Sequence, residues 1–148
     1  MNTEIINISA PPSLLPSLRK AMAEWNRVMA PLAQFIIDYS VKPHVVITFG
    51  KVDRSRDETR IAQCADLTGK KWLITLADDT KWATTWWQQT WGLGEDATAT
   101  LLHELGHVFD LPHSDNPYDV MSPVILTKEK IGTAEGASYK EYFEKHVA

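Results

Sequence analysis

The chain has one cysteine, Cys64, in 148 residues. No disulfide can form within it, and one cysteine leaves the redox compartment undecided. Cys64 lies in a strand-like stretch and reads as a small, half-buried residue. A basic excess is also missing. There are 15 Lys and Arg against 19 Asp and Glu, for a net charge of −4. The basic residues are scattered. Arg54, Arg56 and Arg60 alternate with Asp53, Asp57 and Glu58, which reads as a solvated mixed-charge loop. No basic stripe suits a nucleic-acid partner. No apolar run is long enough to span a membrane. Residues 1–9 carry neither the basic start nor the apolar core of a signal peptide. A cytosolic protein and a mature fragment of a secreted one both fit, so localisation stays unknown. Internal repeats and linkers are lacking as well. With 44% hydrophobic residues, the chain can bury a sizeable core, and one domain over 1–148 is expected, as a monomer.

What is there begins with a short strand over Glu4 to Ser9, punctuated by Pro11, Pro12 and Ser13. Leu15, Leu18, Met22, Trp25 and Met29 recur at helical spacing and predict an amphipathic helix ending near Pro31. Its Met and Trp stripe reads as core packing. Phe35, Ile37, Tyr39 and Val41 alternate as a strand does, and so do Val45, Ile47 and Phe49, with Gly50 as a break. Two further strand-like runs, 61–67 and 71–77, are joined by Thr68-Gly69-Lys70, where Gly69 suits a hairpin turn. Four of the six tryptophans lie between Trp82 and Trp91. They predict a loop tucked onto the domain by its indoles, with an aromatic wall beside a cleft as the other reading. Asp96 is a credible N-cap for a helix over 97–109. A last helix is expected over 137–146, packing through Tyr139, Tyr142 and Phe143.

The segment His103-Glu104-Leu105-Gly106-His107, with Asp110, His113 and Met121 after it, holds three of the five histidines. Residues four apart share one face of a helix, so His103 and His107 are neighbours there. His113 reaches that face only if the chain turns back, and Asp110-Leu111-Pro112 supplies turn signals. Three neutral imidazoles so placed can hold one Zn²⁺ and leave its fourth position open to water. Zinc polarises a carbonyl and lowers the pKa of its bound water from about 15.7 to about 7. Glu104, beside the first ligand, is the candidate general base. The bland reading is a helix with incidental polar histidines. His44 and His146 read as surface or packed residues rather than ligands. Asp78-Asp79 is an acidic pair able to bind a structural Ca²⁺, although solvated strand-end carboxylates are the simpler reading.

The stretch from His103 to His113 resembles the zinc-binding motif HExxHxxGxxH of the metzincin metallopeptidases. His113-Ser114-Asp115-Asn116-Pro117-Tyr118-Asp119-Val120-Met121-Ser122-Pro123 is similar to the continuation found in matrixins, with its Met-x-Pro turn. Residues 71–82 resemble, more loosely, the matrixin strand that ends in an acidic run and a Trp. Residues 61–67 fall where the family has its substrate-pairing edge strand. The resemblance implies an α+β, metzincin-like domain: a twisted mixed sheet, a backing helix, an active-site zinc helix and a C-terminal helix. It implies a zinc metalloendopeptidase with His103, His107 and His113 as ligands, Glu104 as base and Met121 beneath the metal. Peptide or protein would be its substrate. It also implies that Pro123, Val124 and Ile125 line the pocket for the residue after the scissile bond.

Three departures stand out. The family glycine is Asp110 here, at a turn glycine makes at no steric cost; Asp is among the next most tolerant residues. The family's latency segment with its zinc-blocking cysteine, and its second His and Asp cluster, have no counterpart. Two other classes remain open: a zinc-binding interaction module with impaired catalysis, and a zinc-dependent endoribonuclease of the bacterial ribosomal-RNA maturation type. The latter shares a similar His spacing but lacks the Glu and the Met-turn. A peptide assay with and without chelator separates the three.

Overall fold

The first strand, β1 (Glu4–Ser9), leads through a 3₁₀ turn into helix α1 (Leu15–Met29), which returns the chain to β2 (Ala33–Ile36), parallel to β1. The computed structural model describes residues 2–124 and 128–147. On the other side of β1 lie β3 (Val45–Gly50), parallel to β1, and then β5 (Trp72–Ala77), parallel to β3. β4 (Ala62–Asp66) pairs antiparallel with β5 and forms one edge, giving the order β2-β1-β3-β5-β4. This is the mixed sheet the sequence predicts. The β4–β5 hairpin turns at Thr68, Gly69 and Lys70, all in the left-handed region with φ of 67°, 63° and 58°.

Period-two alternation decides which face is covered. Ile6, Ile8, Val45, Ile47, Ile74 and Leu76 are buried, whereas Ile5 and Val46 point outward. The covered face meets the stripe of α1 and helix α3 (Ala97–Val108). Each such large apolar side chain contributes about 1.5–3 kcal/mol against leaving it in water. Trp25 joins the helices. Its ring lies 5.4 Å from that of Phe109 and 5.6 Å from that of Tyr139 on the last helix, α4 (Thr133–His146). Its indole Nε1 donates to the Leu102 carbonyl at 2.8 Å, so the buried polar end is satisfied. Phe109 also packs on Phe35 and Phe143, at 4.9 and 5.2 Å. α1, α3 and α4 therefore meet at one aromatic cluster directly beneath the histidine segment. Among the described residues, no helix is long and apolar enough to cross a membrane.

Four local expectations change. The strand expected over 35–41 runs Ala33–Ile36 instead. Buried Asn7 takes the segment off the ladder: its side chain accepts from Asp38 N–H at 2.8 Å and donates to the Asp38 and Val41 carbonyls at 2.9 and 3.0 Å. Gly50 ends β3 within the strand and pairs with Ala77. α4 begins at Thr133, earlier than expected, because the Glu135 carboxylate caps Gly132 N–H at 3.1 Å. The tryptophan segment is not tucked in. After the two-residue strand β6 (Trp82–Ala83) comes a short helix, α2 (Trp86–Thr90), closed by a Thr85–Gln88 capping box. β7 (Glu95–Asp96) then pairs with β6 and leads into α3. Trp86, Trp87 and Trp91 are exposed, and only Trp82 is anchored, its Nε1 donating to the Ala77 carbonyl at 2.9 Å. None of the four lies among the described residues lining the large cleft.

Candidate metal centre

Helix α3 is set by caps at both ends. The Asp96 carboxylate accepts from Ala99 N–H at 3.0 Å, one of the orphan donors of the first turn. At the other end Asp110 N–H donates to the His107 carbonyl at 3.0 Å, and Leu111 N–H to the Gly106 carbonyl at 3.3 Å. This is a Schellman closure, which needs a left-handed residue after the helix. Asp110 is that residue, with φ of 62°. Asp thus makes the turn expected of it, and the turn sends Pro112 and His113 back over the helix. The Leu111 carbonyl produced by the turn receives His107 Nδ1 at 3.0 Å. One closure therefore positions two histidines.

His103, His107 and His113 offer ring nitrogens all within 4.8 Å of one another, and among the described residues they are the only such cluster of His, Cys, Asp or Glu. His103 is buried, His107 half-buried and His113 exposed. His103 Nδ1 lies 2.8 Å from the Val120 carbonyl. A carbonyl only accepts, so Nδ1 carries the proton in both His103 and His107. Their Nε2 atoms are then bare lone pairs, yet they face each other at 3.3 Å. Two lone pairs at that distance repel unless a cation lies between them. A proton is a poor candidate. Burial pushes His103 down to about 4 and lowers His107 as well, against the pull of the carbonyls each ring touches. A metal ion satisfies the same geometry without protonating either ring, so the donor set fits zinc.

Glu104 follows His103 on the helix and opens into the same space. Burial pushes its carboxyl up to about 7, with Arg60 pulling the other way. The space is a cleft of about 770 Å³ walled on one side by 62–64 of the edge strand and the residues 59–61 before it, and on the other by 110–113, 123 and 124. Met121 lies wholly buried under the helix, against Gly106, where a Cβ would collide with its sulfur. Cys64 lines the cleft half-buried, and burial beside Glu104 pushes its thiol up to about 12, which makes it a poor nucleophile. The other histidines lie elsewhere. His44 Nδ1 accepts from Asn7 N–H at 3.0 Å, and His146 stacks on Tyr142 at 4.2 Å. Both oxygens of Asp79 are held by Arg54 at 2.7 and 2.8 Å, a permanent cation at the acidic pair considered for calcium. Ile125 lies outside the described residues. Arg60 is the cleft residue that sequence reasoning missed. It reads as loop charge, and nothing local in the sequence brings it to Glu104.

The family model for matrixin peptidases matches residues 11–135. The chain belongs to the matrixin family. Among curated proteins, no sequence matches it. As a matrixin with a three-histidine cluster, it is assigned to the metallopeptidase type, and its site is compatible with zinc.

This matrixin holds a strained residue where the family pattern has glycine. An L-residue in the left-handed region costs about 1–2 kcal/mol, less for Asp. Glycine removes that strain but has more freedom to lose on folding. Asp110→Gly is expected to stabilise the protein by about 0.5–1 kcal/mol. Thermal melts read this as a rise of a few degrees, with zinc affinity unchanged. A lower melting temperature would mean that Asp110 contributes more than its backbone.

Proposed function

We propose that the protein is a zinc-dependent endopeptidase in which His103, His107 and His113 hold the metal and Glu104 is the general base. The observation that carries this reading is the pair of facing, proton-free ring nitrogens at 3.3 Å beside a buried carboxylate, at the floor of a cleft walled by a sheet edge. Zinc, when bound, supplies Lewis acidity toward a carbonyl and makes water a nucleophile near neutral pH. The chain's residues do the rest. The carbonyls of Val120 and Leu111 hold the His103 and His107 rings in one tautomer and one orientation. Glu104 takes the proton of the attacking water and returns it to the leaving amine. An extended peptide adds its backbone to the free edge of β4, near 61–67, which presents the scissile bond to the floor.

Specific observations weigh against the alternatives. Among the described residues at the cleft, Asp57, Asp66, Glu95 and Asp110 face a single basic side chain, Arg60. A phosphate backbone would be repelled there, which disfavours the ribonuclease reading. The impaired-module reading leaned on Asp110, and the complete helix closure at Asp110 supports an intact site instead.

Pro123 and Val124 line the cleft next to the histidines. An apolar wall gains about 0.8 kcal/mol per buried methylene, while an unpaired charge there costs several kcal/mol. The test is digestion of a random peptide library, with sequencing of the new amino termini. Leu, Met, Ile and Phe should dominate, with Asp, Glu, Lys and Arg scarce. Chelator should stop the digestion and added zinc restore it. Charged residues at the new termini would overturn the pocket assignment. Digestion that persists without metal, or no digestion at all with zinc bound, would overturn the peptidase reading.

A further inference from the structure

Irregular chain has no ladder of its own to fix it, yet residues 119–122, which are irregular, orient two of the three histidines. The Val120 carbonyl receives His103 Nδ1 at 2.8 Å. The Met121 carbonyl accepts at 2.8 Å from the N–H of Ser114, the residue next to His113. Helix α4 supplies what fixes this segment. Glu135 Oε2 accepts from Val120 N–H at 2.5 Å and from the Tyr139 hydroxyl at 2.8 Å, and the Tyr139 oxygen accepts from Met121 N–H at 3.3 Å. Its other oxygen accepts from Lys128 Nζ at 2.7 Å and Gly132 N–H at 3.1 Å. The Glu135 side chain is only 7% exposed.

We propose that Glu135 is a positioning residue for the three-histidine centre, acting on His103 through the Tyr139 hydroxyl and the Val120–Met121 peptide unit. The inference rests on the metal-binding reading of the histidines. The Tyr139 hydroxyl accepts from Met121 N–H and donates to the Glu135 carboxylate, and an anion-backed acceptor on that N–H polarises the Val120 carbonyl at the other end of the same peptide unit. That carbonyl accepts from His103 Nδ1–H, so the anion makes Nε2 a better ligand while fixing the ring. The arrangement is the carboxylate–histidine pairing of metal sites with a tyrosine hydroxyl and a peptide group inserted between the two. Four donors converge on Glu135. Burial raises its pKa, but the bonds from Lys128, Val120, Tyr139 and Gly132 outweigh this and keep it anionic. Lys128 completes the device by also donating to the Tyr118 carbonyl at 2.7 Å, just before the segment.

The test is zinc affinity of the purified full chain, measured by chelator competition, for Glu135→Ala and Glu135→Gln. Asn26→Ala is the control. Asn26 ties α1 to β2 through Phe35, at 2.7 and 3.0 Å, and touches nothing at the centre, so it should cost stability alone. Glu135→Ala is expected to weaken zinc binding by about 10–100-fold, the range for outer partners of metal ligands. Glu135→Gln, which keeps an acceptor but no charge, should fall between. Asn26→Ala should keep wild-type affinity. Should the alanine variant not fold, the glutamine variant loaded with cobalt decides. Its visible absorption should shift from that of wild type, and the control's should not. Affinity within twofold of wild type in the Glu135 variants, with an unshifted cobalt spectrum, would reduce Glu135 to a structural anchor. A wild-type chain that binds no zinc would end the metal reading and this inference with it.

Discussion

Glu104→Gln is expected to keep stoichiometric zinc while peptide turnover falls by about 10²–10⁴-fold, the range that general acid–base catalysis supplies. The amide keeps the size of the carboxyl and cannot take a proton from water. The same substitution should make the metal-free protein more stable at alkaline pH. Burial raises the Glu104 carboxyl from its ordinary value near 4.5 to about 7. Its contribution to stability is therefore fully present below 4.5 and lost as pH rises through 7. Above 7 the native state must bury an anion, at a cost of about 3 kcal/mol. The glutamine variant has no such anion. Melts of the stripped protein at pH 8 should favour the variant by that amount, and the difference should vanish near pH 4. Metal analysis and a peptide assay complete the set. Near-normal turnover with zinc bound would remove Glu104 as the base.

The site was legible in the sequence because its chemistry is local. His103 and His107 share a helical face through their spacing alone. Asp96 and Asp110 cap that helix with residues whose local preferences are known, and His113 follows from the turn. The family resemblance added Met121, which proves to lie buried against Gly106. What failed to show was set by partners distant in the chain. β2 ends early because Asn7, some thirty residues away, captures Asp38. Arg60 and Glu135 read as ordinary charges, and only the folded chain brings one to the cleft and the other under Val120. The tryptophan segment failed for a different reason. Apolar character predicts burial, but the capping box at Thr85 and Gln88 lets α2 form with three indoles in solvent. That signal was local and was outweighed by hydrophobicity.

His113→Ala is expected to separate metal binding from folding. His103 is buried in the core, so its removal would damage packing as well as the site. His113 is exposed, on irregular chain beyond the helix closure. Trimming it should leave the metal-free protein within about 0.5 kcal/mol of wild type, as for surface positions generally. Its effect should appear only with zinc. A ligand that binds the native state stabilises it by about 4 kcal/mol at a thousand times Kd. Losing one of three ligands should weaken zinc by more than the roughly 10–100-fold that outer partners cost. If the loss is about a thousandfold, the same zinc concentration would leave only about 0.4 kcal/mol of stabilisation. Melting curves with and without zinc read this directly. Wild type should rise by many degrees on adding zinc, and His113→Ala should barely move. An undiminished rise would exclude His113 as a ligand. The remaining histidines would then have to be tested, although His44 is engaged by Asn7 and His146 is stacked on Tyr142.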